Sequence, residues 1–284
     1  MRRCLSVAIL GIALSGAILG QQDDASIGNK LSDILTRMNS ADLHASKIAF
    51  DELMTQLASD GSDGGSTTGL ADAASRFLAR HPQQADQVKL GLIQLLGKEN
   101  YFFIETKNPP PDPYEEDNIS DHYADLISVV SSLDDERAIP VLVGAMTTGG
   151  IAQRGLLKYG DKALEPVIAQ LSSSDALVRA TALGMSITLL ERRHDVVSDA
   201  RIRYLIRSSL ADPKPVVRRH AIKEIDCLND RQAFVPILER IAKSDPWKLP
   251  GKADDGGDGE EFYPVRFQAR WVLRDIQSNK TCAP

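Results

Sequence analysis

From Asp161 to Leu228 the apolar positions recur at steps of three and four residues, broken by short polar turns. That period is the signature of amphipathic helices, each with one face to bury. Pro166-Val167-Ile168 and Leu171 precede the turn Ser172-Ser173-Ser174-Asp175, and Val178-Arg179 then leads to Ala182, Met185 and Leu189. The same order follows again: Leu205-Ile206 and Leu210, the turn Ala211-Asp212-Pro213, then Val217-Arg218, Ala221, Ile225 and Leu228. Arg179 and Arg218 are 39 residues apart, within the range of two-helix repeats. A third copy opens at Arg231 with Phe234, Pro236-Ile237-Leu238 and Ile241. Its second helix is delayed by an insertion over 247–261 and resumes at Val265-Arg266 with Ala269, Val272 and Leu273. The pattern predicts an all-α fold, an α-solenoid of antiparallel helix pairs, since isolated pairs cannot bury their apolar faces alone.

The remainder is organised around the same period. Residues 1–20 combine Arg2-Arg3, an apolar run from Leu5 to Leu14 and the small residues Ser15-Gly16-Ala17, the pattern of a signal peptide. A helical pair is expected over 21–58, with Ser40 as the N-cap of a second helix carrying Ile48, Phe50, Leu53, Met54 and Leu57. The Gly, Ser and Asp of 59–68 read as a flexible linker and domain seam. Over 69–133 two helices meet at His81-Pro82, Gly97 is expected to stop the second, and Tyr101-Phe102-Phe103-Ile104 is expected to start a short helix that packs inward. The four prolines of 108–117 mark an acidic surface loop. Repeats are expected from 134 to 277, with Asp135 capping a helix that contains Pro140 and with Gly149-Gly150 and Gly160 bracketing a short partner, followed by a tail over 278–284.

Composition sharpens this picture in one respect. Hydrophobic residues make up 43% of the chain but aromatics only 5%, which suits helices packed through small and aliphatic side chains rather than sheets. The net charge is −6, and −8 after residue 20 because Arg2 and Arg3 face no acids in the leader. An acidic chain is a poor general binder of nucleic acid. Beyond the leader only Cys227 and Cys282 remain. In an oxidising compartment they form either one disulfide or two unpaired thiols.

The repeated features resemble HEAT-repeat proteins, of the bacterial kind similar to phycobilisome-lyase HEAT-like repeats. The residues that carry the resemblance are Pro140, Pro166 and Pro236 in first helices and Val178-Arg179, Val217-Arg218 and Val265-Arg266 in second helices. Tyr204-Leu205-Ile206 stands where a proline would belong, which implies a straighter first helix there. The resemblance implies a scaffold that presents binding surfaces, or, as the alternative, a lyase-like enzyme acting on a bound small molecule or envelope component. Each second-helix arginine follows a turn acid (Asp175, Asp212 or Glu260) and is expected to reach the carboxylate of its own turn or the next.

The residue types for catalysis are not arranged for it. His44, His81, His122, His194 and His220 include no pair four apart, and no nucleophile elbow or phosphate-cradling loop occurs. The acidic run from Asp254 to Glu261 lacks the spacing of a calcium loop and reads as a solvated segment, so no cofactor or metal is expected. The charge feature that stands out is basic. Between Glu191 and Lys223 lie Arg192, Arg193, Arg201, Arg203, Arg207, Lys214, Arg218, Arg219 and Lys223, against four acids. The first eight of these form a candidate patch for an acidic protein segment or an anionic envelope surface. The expectation is an exported, periplasmic or secreted, non-catalytic scaffold for protein–protein interaction.

Overall fold

The structure, a computed structural model, describes residues 29–38, 40, 42–58, 67–101, 121–249 and 262–278. The described residues are helical apart from turns and a single antiparallel bridge between Leu249 and Phe262. The chain divides into two compact units, Met1–Leu156 and Leu157–Pro284. The expected leader, residues 59–66 of the expected linker, the proline-rich loop 108–117, the acidic segment 250–261 and Cys282 lie outside the described residues, while Thr67 and Thr68, the end of the expected linker, already belong to a helix.

In the first unit, α1 (29–38) buries Leu31, Ile34, Leu35 and Met38 at helical spacing. Helix α2 (Leu43–Ala58) packs on α3 (Thr67–Arg80), which packs on α4 (Pro82–Asn100) and α5 (Asp121–Ser132). Asp42, not Ser40, precedes α2: its carboxylate accepts from the Ala45 amide, while the Ser40 hydroxyl accepts from the Asp42 amide. Ile48 is half exposed, whereas Phe50, Leu53 and Met54 are buried, so the apolar face of α2 is narrower than its sequence suggests. Gly97 does not end α4. The helix continues to Asn100, and Gly97 is a point of close approach within it, where an added Cβ would lie 3.3 Å from Val141 Cγ1. Tyr101 points outward, 60% exposed, against the expected inward packing; Phe102 and Phe103 are outside the described residues. A buried polar chain instead ties this unit together: Tyr123 donates to Asn100, whose amide donates to the Val141 carbonyl at 2.7 Å. Hydrogen-bonded interior groups of this kind help fix register.

Asp135 caps the single 3₁₀ turn Glu136–Ala138, accepting from the Arg137 amide, and α6 (Ile139–Gly144) follows. Gly149 and Gly160 have φ of 119° and 55°, backbone that favours glycine, and they flank α7 (Gly150–Tyr159) as the sequence predicts.

The second unit holds α8 (Asp161–Ala169), α9 (Ala176–Glu191), α10 (Val196–Ser209), α11 (Pro215–Asp226), α12 (Val235–Ser244) and α13 (Pro264–Gln277). Helix α9 packs on α8, α10 and α11; α11 packs on α10 and α13; α12 packs on α13. Ala182, Met185, Leu189, Val217, Ala221, Ile225, Val265, Ala269 and Val272 are all buried, whereas Val178, Leu228 and Leu273 of the same expected faces are half-buried. Of Pro140, Pro166 and Pro236, Pro166 alone lies in a helix interior. Pro140 and Pro236 sit in the first turn of α6 and α12, after single 3₁₀ turns. There the missing N–H costs nothing, because first-turn amides have no helical acceptor. Helix α10, which lacks the proline, runs 14 residues without interruption, against 9 for α8 and 10 for α12.

Candidate functional site

The geometry that recurs in the second unit is a guanidinium bridging two turns. Asp175 caps α9 through the Leu177 amide, and one turn later the Arg179 side chain leaves the helix. Its Nη1 donates to the carbonyls of Ser173 and Ser174, while Nε and Nη2 each donate at 2.8 Å to one oxygen of Asp212. Arg218 repeats the arrangement. Nη1 donates to the carbonyls of Asp212 and Pro213, and Nε and Nη2 grip Asp245 at 2.7 and 2.9 Å. Each arginine therefore binds its own turn through carbonyls and the next turn through a bidentate carboxylate. The planar fork of arginine suits this two-point contact, and a lysine would not reproduce it. Burial opposes ionisation of Asp212, but the Arg179 guanidinium and the Lys214 amide outweigh it and hold the carboxyl below the usual range. Arg266 ends the series: it donates to the Asp245 carbonyl and lies 3.9 Å over the Tyr263 ring.

The eight cations of the expected patch divide into two sets. Arg193 pairs with Asp161, Arg201 with both oxygens of Glu165, Arg203 with Asp230, and Arg218 with Asp245. Their charge is already met within the chain, by acids too distant in sequence for local charge counting to find. Arg192, Arg207 and Lys214 are exposed and enter no ion pair among the described residues. Arg192 donates to the Leu157 carbonyl, and Arg207 lies 5.5 Å over the Phe234 ring. The Nε of Arg219 is buried without a partner among the described residues.

Beside this region a cavity of about 330 Å³ is lined by Glu191, His194, Asp199, Arg203, Cys227 and Asp230 among others. Burial, with the Glu224 carboxylate adding to it and His194 opposing, pushes the Glu191 carboxyl above its ordinary value. Cys227 is disulfide-bonded, so its sulfur is not a free nucleophile. The cavity was not legible in the sequence, because its walls come from the ends of α9 and α11 and the middle of α10. Among the described residues no group of three or more His, Cys, Asp and Glu side chains is placed to hold a metal ion, and no helix is long and apolar enough to cross a membrane.

Comparison of the chain with protein-family models, with curated proteins and with solved structures finds no match.

Proposed function

We propose that the chain is an exported, non-catalytic α-solenoid of HEAT-like repeats that binds protein partners. The observation that carries this reading is the pair of equivalent clamps, Arg179 on Asp212 and Arg218 on Asp245, at two successive helix interfaces. The same side chains solving the same packing problem at consecutive interfaces is what a repeat array requires. An array of this kind uses its repeated charges in architecture and leaves its exposed faces for recognition. The disulfide at Cys227 supports an oxidising compartment and, with Cys282 as its partner, a pinned C-terminal tail. The acidic net charge of −6 argues against nucleic acid, and an acidic protein segment or anionic envelope surface remains the fitting partner for Arg192, Arg207 and Lys214.

The test is affinity capture from an envelope extract of the host, using the chain from residue 21 beside a variant with Arg192, Arg207 and Lys214 changed to Glu. Those three carry no intrachain ion pair among the described residues, so reversing them strands no partner carboxylate. A protein retained by the first and lost by the second supports the scaffold. The cavity at Glu191 favours the second reading, a pocket for a small molecule on the same scaffold. A bound compound found by intact mass, with no protein retained by either form, would replace the first reading by that one.

A further inference from the structure

Superposing the second helices on Val178-Arg179, Val217-Arg218 and Val265-Arg266 places Ala180, Arg219 and Phe267 in one register. It does the same for Leu183, Ile222 and Arg270, for Gly184, Lys223 and Trp271, and for Ile187, Asp226 and Arg274. On α9 the side bearing Gly184 faces α11: a Cβ there would come within 2.9 Å of His220 Nε2. Ala180, Leu183 and Ile187 are buried. On α11 Ile222 is buried, Arg219 and Asp226 are half-buried and Lys223 is exposed, and Asp226 feels the charge of Asp275 on α13. On α13 the corresponding side is open. Phe267 is 52% and Trp271 48% exposed, and Arg270 and Arg274 are exposed beside them.

These four side chains are organised. The rings of Phe262 and Phe267 lie 5.8 Å apart and those of Phe267 and Trp271 6.4 Å apart. Arg274 sits 5.9 Å over the Trp271 ring, and Arg270 donates one long bond, 3.3 Å, to the Ala242 carbonyl. Neither arginine is in an ion pair among the described residues, although Arg193, Arg201 and Arg203 all are. A helix that merely ended a stack would be expected to turn a polar face outward. This one exposes two large aromatics in a chain that is 5% aromatic, with two cations that meet no carboxylate among the described residues. Pairing of two such faces from two copies would bring four arginines together, which like-charge repulsion disfavours. Within the unit, α9 packs on α11 and α11 on α13, and a turn carboxylate meets a guanidinium at each interface.

We infer that the open side of α13 is a docking surface for an acidic amphipathic helix of another protein. Its apolar side chains seat on Phe267 and Trp271, and its carboxylates meet Arg270 and Arg274. The inference rests on the scaffold reading above and names one of its surfaces.

The experiment uses the full chain from residue 21 with Trp247→Phe, so that Trp271 is the only indole. The probe is a synthetic helical peptide of roughly 20 residues, long enough to hold helix in water, with leucines on one face and glutamates on the other. A second peptide carries lysine for each glutamate. Expected is a change in Trp271 emission with the glutamate peptide, binding about tenfold tighter than the lysine peptide from two charge contacts, and weakening as salt rises. Arg270→Glu with Arg274→Glu is expected to reverse the preference, which a misfolded variant would not do. Equal binding of the two peptides, no binding at all, or an unreversed preference overturns the inference. So does sedimentation showing a concentration-dependent dimer that Trp271→Ser abolishes, because a second copy would then cover the face. If the charge-reversed chain still captures the same envelope protein, the scaffold stands and only this surface is lost.

Discussion

Removal of the Arg218 side chain tests the architecture most directly. Asp245, whose side chain is 4% exposed, receives two of its hydrogen bonds from Arg218, at 2.7 and 2.9 Å, and a third from the Trp247 amide at 3.1 Å. Arg218→Ala leaves a buried carboxylate with one amide donor and also frees the carbonyls of Asp212 and Pro213. Breaking a buried pair by deleting one partner costs about 3–5 kcal/mol, most of it the stranded charge. Arg218→Met with Asp245→Leu removes both charges and keeps similar volume, so it should recover most of that loss. Arg192→Ala, which removes one bond from an exposed side chain to the Leu157 carbonyl, should cost at most about 1 kcal/mol. The assay is urea unfolding followed by far-ultraviolet circular dichroism, with the three variants beside the parent. The reasoning fails if Arg218→Ala costs under about 1 kcal/mol, or if the double variant is as unstable as the single one.

Ala182→Asp and Ala221→Asp each put a carboxylate at a fully buried helix contact, and each should lower stability by more than about 3 kcal/mol; an unchanged thermal melt of either would contradict the register of α9 and α11. Gly155→Ala places a Cβ 2.7 Å from Ser131 Cβ and should cost about 1–3 kcal/mol, largely relieved by Ser131→Gly, as read by denaturant midpoint. The Glu191 carboxyl is raised in the folded chain, chiefly by burial, so the folded state holds that proton more tightly than the unfolded one. Its contribution is therefore favourable at low pH and is lost as pH rises from the ordinary glutamate range through the raised folded value. Glu191→Gln should be the more stable form at pH 7 and should lose that advantage toward pH 4; a constant difference across the two would refute the burial. Peptide mapping without reductant should link Cys227 to Cys282, and a link to Cys4 or a free Cys227 thiol would remove the pinned tail.

The period of apolar residues was enough to determine that the chain is helical, because burial of one face per helix is a local demand written at three- and four-residue steps. The turn at Asp175 and the first-turn prolines of α6 and α12 are local as well, since a cap and a missing amide act within one turn. The sequence also narrowed the job of Arg179 and Arg218 to a nearby turn acid, leaving open which turn. That choice needed the tertiary structure: Asp212 and Asp245 lie 33 and 27 residues away, and only helix packing brings them within 3 Å. The same limit explains the basic patch. A run of cations between Arg192 and Arg219 looks free until Asp161, Glu165, Asp230 and Asp245 are folded against it. It also explains Gly97, where a residue that would stop an isolated helix is retained because Val141 from another helix leaves little room for a side chain. The open side of α13 is the converse case. Phe267 and Trp271 lie four apart like a buried helical pair, and only the absence of a further described helix over them makes that pair a surface.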